Sequence, residues 1–388
     1  MLKGFKGKRF LFLGVLLLCA ILILAGCGGS SSQNPSQGSK EDPAPNTAQS
    51  SPEKAPAAKD DGKPITLTLA HFFPATHKLE ADIVKGYTEA IDKATNGRVK
   101  IQSYPGGTLI PASETYQGVV SGVADIGISV YAYTRGRFPV VEAFILPGLT
   151  YNNSLAASDA LNEGIEKIDP EELHDTHHLF SFSSGPGNLY ANKPIRSMAD
   201  LDGMQIGATA GLRADAIGLL GANPIVIPMP EWYEALQKNV MQGGVSPIEA
   251  LQGFRLGEVT GQYITVTPFL FNQAFFVTMN KEKWDSLPQD IQKAITEVNK
   301  KYYREKVAPF FDDIDKAGLA YLKDQKKNVE ILQLSPEEDA RWQEKIKPLE
   351  DKYIKILDER GLSGADIMKT VKELVDKANA KYPERILN

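Results

Sequence analysis

Aromatic and cationic side chains cluster in one short run of the sequence, directly after the apolar segment 124–130, which has the composition of a buried strand. The run YAYTRGRFP contains two rings and two guanidinium groups, on Tyr131, Tyr133, Arg135 and Arg137. Ring faces bind apolar groups, and guanidinium groups bind carboxylates through paired hydrogen bonds. The run therefore predicts a site for a small anion or an aromatic acid. For each arginine the alternative is a structural ion pair in a loop.

Histidines occur in two groups, and neither has the pattern of a catalytic or metal site. His71 and His77 follow a predicted strand without a carboxylate cluster nearby, so we expect no metal there. We interpret His71 as ligand-facing or as hydrogen-bonded at the strand edge. The second group, in DPEELHDTHH, is interpreted as a solvated acidic loop. The sequence has no nucleophile elbow, P-loop, dinucleotide fingerprint or zinc spacing, so we expect no cofactor and no catalysis.

The stretch 203–257 predicts the elements that would hold a ligand. Its apolar spacing indicates strand, helix, strand and helix, at 204–208, 214–220, 224–229 and 231–240. This alternation predicts parallel βαβ units and an open α/β sheet. Ligands bind beyond the carboxyl ends of such strands, which we place at 207–211 and 243–247. Trp232 and Tyr233 are interpreted as core residues because they share helical spacing with neighbouring apolar residues.

The rest of the chain from Pro64 repeats this alternation. Further strands are predicted at 65–70, 98–104, 124–130, 179–183, 262–267, 274–279 and 329–332, and helices at 79–94 and 111–122. The glycine- and proline-rich segment 184–188 is interpreted as a crossover between two lobes. Three long amphipathic helices are predicted towards the end, at 288–322, 336–360 and 365–382.

The first 63 residues are predicted to precede the folded part. Basic residues lead into the apolar run 10–25, which is too short for a comfortable membrane span, so residues 1–27 are interpreted as an export signal. The signal ends in Leu-Ala-Gly-Cys, a bacterial lipobox pattern that predicts acylation of Cys27 and a lipid anchor. The alternative is an ordinary cleaved signal or an N-terminal membrane anchor. Residues 28–63 are rich in Ser, Pro, Gln and Lys and are interpreted as a disordered tether.

Charge and cysteine content narrow the class of protein. The formal charge is −5, or −9 without the four basic residues of the signal, which argues against nucleic-acid binding. Cys19 and Cys27 are the only cysteines, so the folded part has no disulfide and is stabilised by packing.

Four segments together resemble the solute-binding subunit of tripartite ATP-independent periplasmic (TRAP) transporters: LAHFFPATHKL, NGRVKIQSYPGGTLIPASETYQGVVSGVADIGIS, YTRGRFPVVEAFILPG and MPEWYEALQKNVMQGGVSPIEAL. The resemblance covers residues 64–388. It implies an α/β fold of two lobes, each an open mixed sheet flanked by helices, with a hinge crossed more than once and a long helix bridging the lobes. It also implies a non-enzymatic receptor, expected to be a monomer, that closes on one small organic acid and delivers it to TRAP permease membrane subunits.

The sequence departs from this family where the ligand carboxylate is usually bound. The lead-in LDGMQI matches, but Gly207 stands where the resemblance implies a carboxylate-binding arginine. Gly187 or Asn188 stands at the position of a second arginine found in some members, and Ser246-Pro247 replaces Asn-Pro. The usual carboxylate clamp is therefore absent from these positions.

Two accounts of the ligand remain open. Either another arginine binds its carboxylate, or the ligand is neutral, because burying an unpaired carboxylate is costly. Arg213, on the helix just past Gly207, is the sharper candidate for the clamp, with a surface position as its alternative. Gly207 and Gly211 have no side chains and are expected to leave room for a bulky ligand, and the aromatic residues expected nearby favour an aromatic or bulky acid. The complete set of expected site residues is Arg213, Arg135, Arg137, His71, Phe72, Tyr131, Tyr133, Gly207, Ser246, Phe271 and Asn188.

These inferences predict an extracytoplasmic solute receptor that is lipid-anchored to the outer face of the cell membrane, or a periplasmic lipoprotein. The alternatives are a ligand-presenting sensor for a membrane signalling protein and a receptor for a neutral solute. The expected lobes are 64–186 plus 273–315 and 187–272 plus 316–388.

Overall fold

The computed structural model describes residues 64–325, 328–385 and 387. The predicted export signal, the predicted anchor Cys27 and the predicted tether lie outside the described residues. Within these ranges every helix is too short or too polar to span a bilayer.

Eleven strands form two mixed sheets within the described ranges. In chain order they are β1 Ile65–His71, β2 Val99–Tyr104, β3 Ile126–Val130, β4 Thr176–Ser183, β5 Asn188–Ala191, β6 Gln205–Gly207, β7 Asn223–Ile225, β8 Gly243–Ser246, β9 Tyr263–Thr265, β10 Ala274–Asn280 and β11 Glu330–Leu332. The first sheet has the order β2-β1-β3-β10-β4, and the second has the order β11-β9-β5-β8-β6-β7. The predicted α/β fold with two open mixed sheets is confirmed.

The helices cover both sheets. In chain order they are α1 Lys85–Ala94, α2 Thr115–Val120, α3 Pro139–Ala143, α4 Ser154–Ile168, α5 Leu212–Leu219, α6 Trp232–Gln237, α7 Ala250–Gly253, α8 Lys281–Ser286, α9 Gln289–Tyr302, α10 Phe310–Gln325, α11 Pro336–Ile346, α12 Pro348–Asp358 and α13 Gly364–Lys381. The π-helical turns Leu79–Val84 and Tyr303–Val307 lead into α1 and out of α9.

The first sheet is parallel on one side and antiparallel on the other. β1 pairs in parallel with β2 and β3, and β10 lies antiparallel between β3 and β4. Leu67 and Leu69 of β1 are fully buried, as their alternation with polar residues predicts. β3 and β10 are buried along their whole lengths, as expected for central strands covered on both faces.

β4 begins three residues earlier than predicted, so the interpretation of His177 and His178 as loop residues is wrong. The His177 ring stacks on the Trp284 ring with centroids 3.7 Å apart. His178 Nε2 lies 2.8 Å from the hydroxyl of Ser181. His174, by contrast, is exposed in the turn before the strand. Packing of α8 against β4 buries side chains that look polar in the sequence.

In the second sheet, β6, β7 and β8 are parallel, whereas β5 runs antiparallel to β8 and β9. The segment 243–247 is predicted to occupy a strand end, but Gly243–Ser246 is itself the buried strand β8 and only Pro247 lies beyond its carboxyl end. Two adjacent glycines give this strand no alternating apolar pattern, which is why periodicity did not reveal it.

Three segments connect the two sheets. β4 ends at Ser183 and β5 begins at Asn188, so the predicted crossover is confirmed. A second connection runs from β9 to β10, and the third passes through α10 to β11. Because α9 contacts α1 while α10 contacts α4 and α7, the stretch from α9 to α10 is the predicted bridging helix. α12 and α13 pack on α3 and α4 beside the first sheet, whereas the sequence-based boundaries group 316–388 with the second.

Candidate ligand-binding site

A cavity lies between elements of the two sheets. Its free volume is about 30 Å³, so the two lobes leave little space between them. Its lining comprises Phe72, Phe73, Val130, Tyr133, Thr209, Ile227, Met229, Trp232, Val245, Pro247, Glu249, Phe254, Phe271, Gln273, Phe275 and Phe311. Several of these follow the carboxyl ends of β1, β3, β6 and β8, where ligands of open α/β sheets bind.

Aromatic rings form one continuous wall of the cavity. The Phe72 ring stacks on Phe73 with centroids 4.3 Å apart and meets Tyr133 edge-on at 5.6 Å. On its other side Phe72 lies 6.2 Å from Phe254. Phe72, Tyr133 and Phe271, all expected from the sequence, therefore line the cavity together. Rings in this arrangement present faces and edges to a flat apolar ligand.

Trp232 forms another part of the wall and rests on two glycines. A Cβ built on Gly244 would lie 2.4 Å from the indole Cζ3, and a Cβ on Gly207 would lie 2.9 Å from Cη2. The indole Nε1 donates to Ile227 O at 2.9 Å, which fixes the ring. Trp232 is 1 % exposed, so its predicted core position is confirmed. Helical spacing did not indicate that the same ring lines the cavity, because that depends on glycines in two strands.

Gly207 does not enlarge the site. A Cβ at this position would lie 2.2 Å from Met241 Cε in addition to its close approach to Trp232. The expectation that Gly207 leaves room for a bulky ligand is therefore wrong, because neighbouring side chains fill that space.

Arg213 is buried rather than on the surface, and it lines a small pocket with Glu142 and Tyr353 next to the aromatic cavity, not the cavity itself. Its side chain is 5 % exposed, its Nη1 donates a long 3.5 Å hydrogen bond to Asn272 O, and its guanidinium lies 5.9 Å from the Phe271 ring centroid. Its Nε has no hydrogen-bond partner among the described residues. Burial lowers the pKa of Arg213 to about 10, while the nearby Glu142 carboxylate opposes this effect. The guanidinium therefore keeps its charge at neutral pH, and its Nε–H is available to donate a hydrogen bond to a ligand.

Two further polar atoms on the cavity wall are buried without a partner in the part of the chain that the structure describes. They are Thr209 Oγ1 and Gln273 Oε1, on side chains that are 8 % and 4 % exposed. Buried polar atoms normally have a hydrogen-bond partner, so these two are positions where a ligand or a water molecule would bind. Nothing in the local sequence singled out either residue.

Glu249 brings a carboxylate to the wall and connects the two lobes. His77 Nε2 lies 2.9 Å from Glu249 Oε2, and both side chains are buried. His77 precedes α1 beside the first sheet, whereas Glu249 follows β8 of the second. Behind it, Glu249 N donates to Asp315 Oδ1 of α10 at 2.7 Å, and burial raises the pKa of Asp315.

The structure places the remaining arginines and Tyr131 away from the cavity. Arg135 is exposed. Arg137 pairs with Asp175 and covers the Tyr116 ring at 5.0 Å, which is the structural ion pair considered as its alternative. Tyr131 is fully buried in the core of the first lobe.

His71, Ser246 and Asn188 do not line the cavity either; each is buried at a strand end with a polar partner. The bonds join His71 Nε2 to Glu80 Oε2 (2.8 Å), the Ser246 hydroxyl to the Tyr190 hydroxyl (3.0 Å) and Thr267 N to Asn188 Oδ1 (3.0 Å). Within the described ranges no group of three His, Cys, Asp or Glu side chains is arranged to hold a metal ion.

Two sheets closing on an aromatic cavity define a two-lobed solute-binding protein. Residues 69–356 match the bacterial extracellular solute-binding protein family 7, and the chain belongs to this family. It is similar to the ectoine/5-hydroxyectoine-binding periplasmic protein UehA of Ruegeria pomeroyi, with 26 % identity over 292 residues, 73 % of this chain and 84 % of the relative.

Solved structures of TRAP solute-binding proteins share the fold. One from a marine metagenome, specific for aromatic acid ligands and in complex with metahydroxyphenylacetate, has a TM-score of 0.76 and 30 % identity over 81 % of this chain and 99 % of that chain. Another, from Rhodoferax ferrireducens T118 with copurified benzoate, has a TM-score of 0.75 and 26 % identity over 82 % and 99 %. The resemblance to the TRAP solute-binding family is thereby confirmed.

Proposed function

We propose that this protein is the receptor subunit of a TRAP transporter and binds a small aromatic carboxylic acid between its two lobes. One observation carries the proposal: a buried, incompletely paired arginine lies 5.9 Å from the ring of Phe271, which is part of the aromatic wall of the cavity. Relatives of solved structure bind metahydroxyphenylacetate and benzoate, which combine a ring with a carboxylate.

The rings account for affinity towards the apolar part of the ligand. Removing apolar surface from water contributes about 25 cal/mol per Å². A well-oriented pair of rings adds about 0.5–1.5 kcal/mol to this burial. Phe72 and Trp232 offer two such ring surfaces on different elements of the wall.

Arg213 accounts for the acid. A carboxylate that leaves water needs an opposite charge and hydrogen-bond donors. The unpaired Nε of Arg213 and its weakly engaged Nη1 supply both. The hydroxyl of Thr209, on the turn before α5, adds a neutral donor. In this proposal Arg213 takes the role that the family resemblance implies for an arginine at position 207.

Ligand entry requires the lobes to separate, because the free volume of about 30 Å³ between them is smaller than a benzene ring, and the lobes must close less fully around a bound ligand than they do in this structure. The ligand binds the open form and is buried when the lobes close, so it shifts the equilibrium by its greater affinity for the closed form. The permease then recognises the closed form and accepts the ligand chemically unchanged.

We further propose that the chain is exported, acylated at Cys27 and held as a monomer on the outer face of a membrane by residues 28–63. The lipobox pattern and the polar composition of the segment support this. Mass spectrometry of the membrane-bound protein should find a chain that begins at an acylated Cys27. A Cys27 without acyl groups would contradict the lipid anchor.

Calorimetric titration with matched acids and amides tests the ligand class. We expect phenylacetate or benzoate to bind at least a hundredfold more tightly than phenylacetamide or benzamide, because only the acids pair with a buried cation. Arg213→Met should remove this difference, whereas Arg135→Met, at an exposed position, should preserve it. Tight binding of the amides alone would identify a receptor for neutral solutes and reject the proposal.

A further inference from the structure

Glu249 places a carboxylate on the wall of a cavity whose ligand is itself proposed to be an acid. Its side chain is buried and lines the cavity together with Phe254 and Gln273. Like charges repel strongly where water is excluded, so the ligand carboxylate does not face Glu249. A different part of the ligand must meet this residue.

The hydrogen bonds of His77 determine which group carries the proton. Leu79 N donates to His77 Nδ1 at 3.0 Å, so Nδ1 is unprotonated and the ring proton is on Nε2. Nε2 then donates to Glu249 Oε2 at 2.9 Å, which suits an ionised carboxylate. Among the described residues His77 is the donor to Oε2, and Oε1 remains an acceptor for a ligand.

Gln273 presents a second acceptor to the same cavity. Its backbone exchanges hydrogen bonds with Ser184, and its Nε2 donates to Ala274 O at 3.4 Å. Its Oε1 is buried with no hydrogen bond from any described residue. Two acceptors on one wall call for a donor on the ligand.

The rings separate this end of the cavity from the arginine. The Arg213 guanidinium lies 5.9 Å from the Phe271 ring centroid, and its charge opposes the rise that burial causes in the pKa of Tyr133, whereas the His77 ring lies 5.2 Å from Phe254. The Phe72 ring lies 5.6 Å from Tyr133 and 6.2 Å from Phe254. A flat ring bound along Phe72 would therefore reach the arginine with one substituent and the acceptors with another.

We propose that the ligand is an aromatic acid with a hydrogen-bond donor, a phenolic hydroxyl or an amine, opposite its carboxylate, and that Glu249 and Gln273 bind this donor. The inference rests on the proposed function and narrows its ligand class. His77 belongs to the first lobe and Glu249 to the second, so lobe closure holds the acceptor in place. Donor recognition and closure therefore reinforce each other.

Matched phenylacetates test this inference by calorimetry on the purified protein. We expect at least one of the ortho-, meta- and para-hydroxyphenylacetates to bind tenfold or more tightly than phenylacetate, the strength of a hydrogen bond to a charged acceptor. The methoxy analogue of that isomer donates no hydrogen bond and should lose the gain. Glu249→Leu should abolish the preference, Glu249→Gln should retain part of it, and Arg135→Met should leave it unchanged.

The measured quantity is the ratio of the affinity for the hydroxyphenylacetate to the affinity for phenylacetate. Losing the hydrogen bond between Glu249 and His77 weakens the binding of both ligands equally, whereas losing the contact between Glu249 and the hydroxyl group changes the ratio. The inference alone is overturned if phenylacetate binds and no hydroxy isomer binds more tightly, or if Glu249→Leu keeps the ratio. If no phenylacetate binds to the folded protein, the proposed function is overturned together with the inference.

Discussion

The indole of Trp232 occupies the space that a side chain at position 207 would need. A Cβ on Gly207 would lie 2.9 Å from this ring and 2.2 Å from Met241 Cε. An arginine at position 207 and a tryptophan at position 232 therefore exclude each other in this packing. Position 207 therefore has no arginine because Trp232 of the aromatic wall fills that space. We propose that Arg213 supplies the positive charge that a ligand carboxylate needs.

We expect Gly207→Ala to lower the free energy of unfolding by about 1–3 kcal/mol, because the added methyl group forces neighbouring side chains out of position. Gly218→Ala is the matched control, since a Cβ there meets no atom within 4 Å and the residue lies exposed inside α5. The control should be stabilised by about 0.5–1 kcal/mol. Urea unfolding measures both, and equal effects of the two substitutions would contradict this account of Gly207.

At the scale of elements, β4 shows how sheet position overrides local polarity. It is the edge strand of the first sheet, yet α4 and α8 cover it. Burial, together with the neighbouring charge of His177, lowers the pKa of His178 to about 4 from its usual 6.5. The native strand therefore holds a neutral histidine that the unfolded chain would protonate in mild acid.

Stability should consequently fall as the pH decreases from 6.5 towards 4, because the unfolded state binds a proton that the native His178 excludes. We expect His178→Gln to reduce this loss in the free energy of unfolding by about 2 kcal/mol. The value is lower than the full pKa shift would give because the ring is partly exposed to solvent. The measurement is the free energy of unfolding of both proteins at several pH values. The two proteins must be compared at each pH because Glu172 affects both of them in the opposite direction. Burial raises the pKa of Glu172 to about 7, so its contribution to stability increases as the pH falls. Parallel pH profiles would contradict the prediction.

α10 is the element that holds the segment following β8. A Cβ on Gly318 of α10 would lie 2.9 Å from Glu249 Cα, so the helix and this segment are in backbone contact. The hydrogen bond from Glu249 N to Asp315 adds a directional contact between the same elements. The bridging helix therefore positions the carboxylate that faces the cavity.

In the whole molecule, segments of both lobes build the wall of the cavity. Phe72 and Tyr133 follow strands of the first sheet, whereas Thr209, Trp232 and Glu249 follow strands of the second. A ligand that touches both lobes stabilises closure, which is the conformational change a permease can recognise.

Spin labels on the two lobes test this motion. Val123 and Val240 are 56 % and 51 % exposed, and they precede β3 of the first sheet and β8 of the second. In a protein with Cys19→Ser, Cys27→Ser, Val123→Cys and Val240→Cys, we expect an acid that binds to shift the label-to-label distance distribution and narrow it to one population. A distribution that is unchanged by a bound acid would contradict closure. Pairing Val123→Cys with a label in its own lobe, at exposed Lys300, provides the control.

The family, the α/β class and most strands and helices were predictable from the sequence, because these depend on apolar spacing between near neighbours and on short contiguous motifs. The sequence also indicated Phe72, Tyr133 and Phe271 as cavity residues, since each follows or lies close to a predicted strand end. It did not reveal β8, whose glycines carry no alternating pattern.

Which polar groups are buried in or next to the cavity depends on packing between distant segments. Arg213 and Arg135 are both arginines after strand ends, yet packing buries one and leaves the other exposed. His77 meets Glu249 across 172 positions of sequence, a pairing that local periodicity does not encode. Burial and hydrogen bonding of a side chain depend on all the elements around it, so the composition of the site emerges only when the two sheets come together.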